Sequence, residues 1–559
     1  MPDLAFHKLH LPPPPELGLP AQFDSYRMGQ DAAIKYALTD EERVVAICAP
    51  TGTGKGLVAA VLAAMTGKRV FVLTGTKALQ SQYGSLYAKS MGMADVRGQV
   101  SYPCRIEPEV TVADGPCHHG QGCQYLSGGC AYFDKVREAQ RMLFVCTNYA
   151  AFFSQMRYSN GLGKIDILVL DEADIAVEQL ASFLGVTIER GDLRRLVPGA
   201  DLPIDLSEEG VRLWAEKTAD KVPELPKPEP GTRLTVPQRR RRRELAALKD
   251  SIGKLAEINA GWRVWSEGGD EVGQRGSILR AEPVSPSDYV EEYLFKYKVP
   301  SSNPSPEIHE QLTFAPIPKI VLLSATLPRK EVDRICPTIP YSYHDFPSNI
   351  PAKQRQVIHI ETAQMKRTTA DYPKWARTID QIVAQRLDRK GILHTTSYAR
   401  RNEFLKRTRW AKDKGMIISH GSRDIEEAVK AFKAAKPPCL LVSPAMTRGY
   451  DFAGDQARYL IVGKVPWPPP SPIADARKEL DPDYPAFEAM KVLMQEFGRA
   501  VRDPLDWAEL LVCDDDWVWF AKHNRDFMTR SFAEAVDWKM YQKVFPTPPP
   551  LDWIKKRAS

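Results

Sequence analysis

The sequence predicts an α/β protein made of two lobes, each built around a parallel sheet. From about residue 40, short apolar runs alternate with helical stretches, and the same alternation resumes after about residue 340. Buried strands that are separated by helices pair in parallel, with the helices covering the sheet. Two long polar stretches interrupt the first half of this pattern, and they predict insertions in the first lobe. With 559 residues, the chain is long enough to bury more than one core.

Ten apolar runs are the predicted strands. Those of the first lobe are Val44–Cys48, Val70–Leu73, Met142–Cys146, Ile167–Leu170 and Ile320–Leu323. Those of the second lobe are Gly391–His394, Met416–Ile418, Leu440–Val442, Tyr459–Val462 and Leu510–Val512. Their continuous apolar character is typical of strands buried on both faces of a parallel sheet.

Composition places the chain among ordinary globular proteins. Hydrophobic residues make up 43% and charged residues 26%, and the net charge of +6 is compatible with a nucleic-acid partner without arguing for one. The N-terminus lacks a basic segment followed by an apolar one, and no apolar run approaches the ~20 residues of a membrane span. We therefore expect a cytoplasmic protein that does not enter a membrane.

A glycine-rich turn follows the first predicted strand and precedes a helix predicted from Leu57 to Met65. Such a turn points backbone N–H groups at phosphates, and the helix N-terminus favours negative charge. The candidate phosphate-binding residues are Thr51, Gly52, Thr53, Gly54, Lys55 and Gly56. Lys55 is placed to reach the outer phosphates. Gly56 stands where a P-loop has Ser or Thr, so the usual hydroxyl ligand of Mg²⁺ is missing.

Two carboxylates, Asp171 and Glu172, follow the strand Ile167–Leu170. At the end of a strand beside a P-loop, the first carboxylate can hold Mg²⁺ and the second can orient or activate the attacking water. An acidic strand end is commonplace alone. Combined with the P-loop, it predicts an ATPase.

The second lobe offers further candidates for the same site. Gly449 and Asp451 follow the strand Leu440–Val442, and Gln495 precedes Arg499 and Arg502. The spacing of three predicts that both arginines lie on one face of a helix. Alone, they would be read as a surface ion pair. Together with a P-loop they favour arginine fingers, which a second lobe delivers to the γ-phosphate.

Two polar strand ends complete the set. Ser324-Ala325-Thr326 has short hydroxyls that can couple a nucleotide site to a second surface. Thr74-Gly75-Thr76 is suited to holding a nucleic-acid backbone through N–H and hydroxyl groups.

Four cysteines lie within 27 residues: Cys104, Cys117, Cys123 and Cys130. In a cytosolic chain they read as thiols or metal ligands rather than disulfides. The intervals of 12, 5 and 6 residues match neither a zinc knuckle nor a bacterial ferredoxin run. Spacing therefore leaves iron–sulfur, zinc and metal-free thiols open, and His118 or His119 could replace a thiolate at a zinc site.

The ordered set of motifs resembles the DinG/XPD-like iron–sulfur helicases of superfamily 2. The resemblance covers nearly the whole chain. Besides the motifs above, it includes Tyr26, Arg27 and Gln30, which match that family's adenine-side motif, Asn148-Tyr149, and His394-Thr395-Thr396-Ser397. Each motif is weak alone, and their order is specific.

The resemblance implies two RecA-like motor lobes that bind ATP and Mg²⁺ between them, a [4Fe–4S] cluster on the four cysteines, and a mostly helical arch insertion. The expected first lobe is 1–98 with 141–175 and 311–335, the cluster insertion 99–140, the arch 176–310 and the second lobe 336–559. It further implies a DNA helicase that acts as a monomer, translocates 5′→3′ on single-stranded DNA and unwinds forked or tailed duplexes, as motors of DNA repair or replication do.

Several features depart from the family. Asp174 stands where the family commonly has His, Arg448 where it has Glu, and Gly56 where it has Thr or Ser. Two other functions therefore stay open: a non-hydrolysing nucleic-acid clamp with a decayed P-loop, and an RNA-remodelling ATPase with a zinc-bound insertion. Residues 231–250 hold seven basic and two acidic side chains, including Arg239–Arg243, which would either contact phosphate or form a solvated face.

Overall fold

The fold is a pair of parallel sheets covered by helices, with insertions in the first lobe. This computed structural model describes residues 9–119, 123–159, 161–225, 233–268, 277–299, 313–366, 370–444, 450, 452–539 and 547–552. One sheet has seven strands and the other has six. The predicted α/β class with two RecA-like lobes is confirmed.

The first sheet contains all five predicted strands of the first lobe and two more. Its order is β12-β1-β11-β5-β2-β4-β3, and every neighbouring pair is parallel. Its strands are β1 (Val44–Cys48), β2 (Val70–Thr74), β3 (Ala94–Asp95), β4 (Phe144–Asn148), β5 (Ile167–Asp171), β11 (Lys319–Ser324) and β12 (Tyr341–Asp345). The edge strand β12 pairs with β1, so the first lobe extends beyond the predicted limit at residue 335.

Helices cover both faces of this sheet. They are α1 (Gln30–Thr39), α2 (Gly56–Thr66), α3 (Lys77–Met91), α4 (Ala131–Arg141), α5 (Tyr149–Tyr158), α6 (Ala176–Leu184), α10 (Val290–Tyr293) and α11 (Arg329–Ile335). Capping residues set both ends of helix α3. The Thr76 hydroxyl accepts a hydrogen bond from the Leu79 N–H at 3.2 Å, and Gly92 ends the helix at φ 64°.

The arch insertion has its own core, built from helices and a small sheet. The helices are α7 (Arg190–Leu196), α8 (Glu208–Ala219) and α9 (Val236–Ala256), and the antiparallel strands are β6 (Val186–Glu189), β7 (Trp262–Glu267) and β8 (Ile278–Pro283). Leu193, Val211 and Ile252 are fully buried there. In contrast, α6 and Leu294 pack in the core of the first lobe, although the sequence assigned both to the arch at 176–310.

The second sheet has the order β13-β18-β17-β14-β16-β15, again all parallel. Its strands are β13 (Val357–His359), β14 (Lys390–His394), β15 (Ile417–Ser419), β16 (Cys439–Ser443), β17 (Tyr459–Val462) and β18 (Glu509–Val512). Its helices are α12 (Tyr372–Ala384), α13 (Tyr398–Arg407), α14 (Ile425–Ala434), α15 (Pro472–Leu480), α16 (Tyr484–Phe497), α17 (Asp516–His523) and α18 (Arg530–Ala535). A separate antiparallel pair joins β9 (Lys296–Lys298) to β10 (Phe314–Pro316).

None of the helices in the described ranges combines the length and the apolar character that crossing a membrane requires.

Candidate active site

The glycine-rich loop after β1 turns sharply at two of its glycines. Gly52 and Gly54 adopt φ values of 86° and 75°, a left-handed conformation that other residues rarely accept. Two predicted adenine-side residues contact this loop directly. The Arg27 guanidinium donates to the Gly52 carbonyl at 2.7 Å, and the Gln30 amide donates to the Gly54 carbonyl at 2.8 Å. Both side chains therefore fix the shape of the loop.

Lys55 lies at the base of the loop, immediately before α2. Its ammonium donates to the carbonyl of Ala49 at 3.0 Å. Burial lowers the pKa of Lys55, and the nearby Asp171 carboxylate acts in the opposite direction. The lysine thus faces the acidic end of β5 across the loop.

Asp171 ends β5 and is almost fully buried at 4% exposure. Burial raises the pKa of Asp171, while Lys55 and a hydrogen bond from the Tyr83 hydroxyl lower it. That hydroxyl, on α3, donates to Asp171 Oδ2 at 2.9 Å. The tyrosine belongs to no motif, and sequence reasoning missed it.

Glu172 follows in a strained backbone position, at φ 60°. Strain of this kind in a non-glycine residue is concentrated at functional sites. Burial, followed by the charges of Asp171 and Asp174, raises the pKa of Glu172 to about 7. The Arg499 guanidinium acts against these effects, so it lies within electrostatic reach of Glu172.

Asp174 gathers donors from both lobes. Its carboxylate accepts from the Ser324 hydroxyl at 2.6 Å, the Thr326 hydroxyl at 2.7 Å and the Gln495 amide at 2.8 Å. Ser324 and Thr326 follow β11 of the first lobe, whereas Gln495 lies on α16 of the second. Asp174, one of the three residues that depart from the family pattern, therefore joins three predicted motifs.

Arg499 and Arg502 reach the site from a turn rather than from a helix. The prediction that they share a helix face was wrong, because α16 ends at Phe497. The chain unwinds there to meet the P-loop. The Thr51 hydroxyl donates to the Val501 carbonyl at 3.2 Å, and a Cβ on Gly52 would lie 2.5 Å from the Arg502 carbonyl oxygen. Arg502 is close enough to Lys55 to lower its pKa.

The remaining predicted residues divide into three groups. Thr53 is buried, and its hydroxyl donates to the Pro50 carbonyl at 2.8 Å. Gly56 opens α2 beside the Tyr83 ring. Gly449 and Asp451, together with Arg448, lie outside the described residues.

The four cysteines of the insertion share one neighbourhood. Cys104 and Cys130 are each 6% exposed. A Cβ on Gly115 would lie 3.3 Å from Cys104 Sγ and 3.7 Å from Cys117 Sγ. Burial, followed by the charges of the other three thiols, raises the pKa of Cys117 to about 11. Across the part of the chain that the structure describes, no three His, Cys, Asp or Glu side chains are positioned to hold a metal ion.

The arginine run of α9 turns largely toward this insertion. Arg239 is fully buried and pairs with Glu107, and Arg240 and Arg243 pair with Asp114 at 3.3 and 2.7 Å. These three arginines have carboxylate partners because acidic side chains of the insertion pack against α9. Complete burial keeps Arg239 from both phosphate and solvent, so both predicted roles are wrong for that residue. The side chains of Arg240 and Arg243 are 55% and 46% exposed, and their contact with phosphate stays a prediction.

Comparisons with known proteins agree with this architecture. The family model described as DEAD/DEAH box helicase matches residues 27–190, and the model of the helicase C-terminal domain matches residues 381–533. The chain carries both domains of an ATP-dependent helicase. The first helicase domain contains the P-loop and the acidic strand end, and the second contains Gln495, Arg499 and Arg502. No curated protein matches the chain.

Solved structures share the fold of this helicase. An XPD helicase is 14% identical, with a TM-score of 0.57 over 89% of this chain and 97% of its own. The structure of S. tokodaii Xpd4 is 13% identical, with a TM-score of 0.55 over 92% of this chain and 100% of its own. An apo XPD structure is 13% identical and has a TM-score of 0.53 over 89% of this chain and 98% of its own. The helicase domains are thus arranged in an XPD-like fold.

Proposed function

We propose that this helicase is a DNA motor that hydrolyses ATP, translocates 5′→3′ on single-stranded DNA and unwinds forked or tailed duplexes. One observation carries the proposal. Side chains of the second lobe reach the P-loop and the acidic end of β5 of the first, so the cleft has groups for binding phosphates, activating water and neutralising charge. Two hydrogen bonds join the lobes. The Thr51 hydroxyl donates to the Val501 carbonyl, and the Gln495 amide donates to the Asp174 carboxylate.

In this mechanism Lys55 and the N–H groups of the loop hold the phosphates, while Arg27 and Gln30 support the loop beside the adenine. Asp171 is the residue that would hold Mg²⁺, which neutralises phosphate charge when bound. Glu172 orients the attacking water. Arg499 and Arg502 stabilise the charge that develops on the transferred phosphoryl group.

Strand movement follows from the way the lobes are joined. Hydrolysis removes the γ-phosphate that the arginines of the second lobe hold, so the lobes separate and close again with each turnover. Asp174 transmits this change, because its carboxylate accepts from β11 and from α16 at the same time. We assign Thr74-Gly75-Thr76 to the DNA backbone and Gly449 and Asp451 to the nucleotide.

The insertion 99–140 is proposed to hold a [4Fe–4S] cluster through Cys104, Cys117, Cys123 and Cys130. Cys117 lies within electrostatic reach of the other three thiols, and cysteine thiolates are the usual ligands of such clusters. The four side chains are not already arranged as a metal site in the described structure, so a bound cluster would draw them together. The cluster would brace a small insertion that has little core of its own. Iron and sulfide content of protein purified without oxygen tests this assignment, and stoichiometric zinc in their place contradicts it.

The activity is tested by ATP hydrolysis with Mg²⁺ in the absence and presence of single-stranded DNA or RNA. We expect strong stimulation by DNA, and its loss in Glu172→Gln, since that variant keeps the shape of the side chain and removes its charge. A partial duplex with a 5′ tail should be unwound, and one with a 3′ tail should not.

Other outcomes separate the competing functions. Stimulation by RNA alone would favour an RNA-remodelling ATPase. Tight DNA binding without hydrolysis, in folded protein that binds nucleotide, would identify a clamp with a decayed P-loop.

A further inference from the structure

The P-loop of this chain lacks a side-chain hydroxyl at its last position, Gly56. The hydroxyl of Tyr83, on helix α3, lies beside that position. Position 56 is glycine, whereas a P-loop has Ser or Thr there to contact Mg²⁺. A Cβ built on Gly56 would lie 3.2 Å from the Tyr83 hydroxyl oxygen and 3.3 Å from the ring Cζ. Tyr83 therefore occupies the space that the side chain at position 56 would enter.

The Tyr83 hydroxyl is also hydrogen-bonded to Asp171, the carboxylate proposed to hold the metal. It donates to Asp171 Oδ2 at 2.9 Å, and the Tyr83 side chain is 2% exposed. Its position is fixed by packing, because Tyr87 and the rest of the α3 face lie in the same core. A buried hydroxyl held this firmly restricts the orientation of the carboxylate that it contacts.

We propose that Tyr83 replaces the missing P-loop hydroxyl by positioning Asp171 for the metal of a metal–nucleotide complex. Glycine at 56 and tyrosine at 83 then form a matched pair, since the Cβ of a serine or threonine at 56 would lie 3.2 Å from the tyrosine hydroxyl, which would have to shift by a few tenths of an ångström. This inference deepens the proposed function and rests on it. Tyr83 is a positioning residue, because it acts through Asp171.

The test measures metal binding, with Mn²⁺ as a paramagnetic substitute for Mg²⁺. Free Mn²⁺ is counted by electron paramagnetic resonance in titrations of the full chain with saturating ADP. Removing a group that orients a metal ligand typically costs roughly 10–100-fold in metal affinity, and we expect a loss of that order for Tyr83→Phe. ADP affinity in EDTA should be unchanged. Tyr87→Phe, which removes a buried hydroxyl from the same helix, is the matched control and should bind Mn²⁺ normally.

A second pair of variants separates positioning from general packing. Gly56→Ser alone should weaken Mn²⁺ binding, because its Cβ presses on the Tyr83 hydroxyl and shifts it relative to Asp171. In the Tyr83→Phe background the same serine should strengthen Mn²⁺ binding, because it restores a hydroxyl where one oxygen has been removed. A structural role for Tyr83 would make the two substitutions additive losses instead.

The inference is overturned if Tyr83→Phe binds Mn²⁺ within twofold of the parent protein, or if serine weakens binding in both backgrounds. It can fail independently of the proposed function. If Tyr83→Phe weakens Mn²⁺ binding but the parent protein hydrolyses no ATP, the inference stands and the motor function is wrong. If DNA stimulates ATP hydrolysis but Tyr83→Phe leaves Mn²⁺ affinity unchanged, the motor function stands and the inference about Tyr83 is wrong.

Discussion

At the scale of single residues, Gly75 links the loop assigned to DNA with the proposed water-orienting carboxylate. A Cβ at Gly75 would collide with Cδ1 of Ile175 and with Oε2 of Glu172. No backbone strain requires glycine there, since its φ is not in the left-handed region. The requirement is space. Any side chain at position 75 pushes Glu172 away from the nucleotide cleft.

Gly75→Ala is therefore expected to lower kcat for ATP hydrolysis by about 100-fold, the size of effect that follows a displacement near 1 Å in a reacting group. KM for ATP should change little, because Lys55 and the loop stay in place. Steady-state kinetics with saturating single-stranded DNA provide the measurement.

The matched control is Gly98→Ala, at a glycine with φ −64° and no heavy atom within 4 Å of an added Cβ. It should hydrolyse ATP like the parent protein. An unchanged kcat in Gly75→Ala would show that Glu172 tolerates the contact, and the proposed link would be wrong.

The residues of the site that the sequence predicted are those whose chemistry is visible locally. Lys55 and Asp171 stand in recognisable strand–turn patterns. Tyr83 lies in the middle of a helix, seven positions after Thr76, and nothing around it differs from an ordinary buried tyrosine. Its role depends on the contact between helix α3 and the end of strand β5, where Asp171 lies. Tertiary packing makes that contact, and the local sequence does not show it.

At the scale of elements, α9 joins the arch to the cysteine insertion through a buried ion pair. Arg239 is fully buried, donates to the Asp114 carbonyl at 2.7 Å and pairs with Glu107. Burial would raise the pKa of Glu107, but the bonds from Arg239 and Arg233 outweigh it and lower the pKa. Removing one partner of such a pair leaves a charge without compensation.

We expect Arg239→Met to destabilise the contact between α9 and the insertion by about 2–3 kcal/mol, less than the ~3–5 kcal/mol of an isolated buried pair, because Arg233 can still pair with Glu107. Hydrogen exchange of the backbone amides in residues 102–119 is the measurement. The double variant Arg239→Met with Glu107→Gln should recover most of the loss.

Arg241→Met is the control, because Arg241 is an exposed member of the same run. The pair should also respond to acid. Since the folded pKa of Glu107 lies below its ordinary value of 4.5, its contribution is complete above that value and is lost as pH falls through the lower one. Faster exchange in Arg241→Met than in Arg239→Met would contradict the assignment.

Strands could be predicted from the sequence where every residue of the strand is buried. All five residues of β1, β2 and β5 are buried, so their apolar runs identified them. The edge strand β12 has the polar sequence Tyr-Ser-Tyr-His-Asp and is half-buried along its length, so no run marked it. The end of α16 was missed because the segment after Phe497 is shaped by the P-loop of the other lobe.

At the scale of the whole molecule, a buried cluster of charges joins the two lobes. Lys491 on α16 is fully buried and lies 2.9 Å from Glu178 on α6 and 3.4 Å from Glu331 on α11. Glu488 completes the cluster at 3.6 Å, and Arg334 pairs with it at 2.7 Å. One lysine of the second lobe thus compensates carboxylates of the first.

Lys491→Met should therefore weaken the closed arrangement of the lobes. The variant leaves Glu331 and Glu488 to Arg334 and removes the ammonium from Glu178. Breaking a buried pair costs about 3–5 kcal/mol. We expect a larger radius of gyration by small-angle X-ray scattering and slower ATP hydrolysis, because Arg499 and Arg502 reach the P-loop only when the lobes meet.

Lys330→Met tests whether burial decides this effect. Lys330 crosses the same boundary to Asp481 and Asp483, but those carboxylates are 36% and 63% exposed, and exposed pairs contribute about 0–1 kcal/mol.

The buried cluster also predicts how closure depends on pH. Burial would lower the pKa of Lys491, but the neighbouring carboxylates outweigh burial and raise that pKa. The contribution of Lys491 is thus complete below the ordinary lysine pKa of 10.5 and is lost only as pH rises through the higher folded value. If Lys330→Met opens the lobes as much as Lys491→Met, or if the parent protein opens between pH 7 and 9, the buried cluster is not what holds the motor closed.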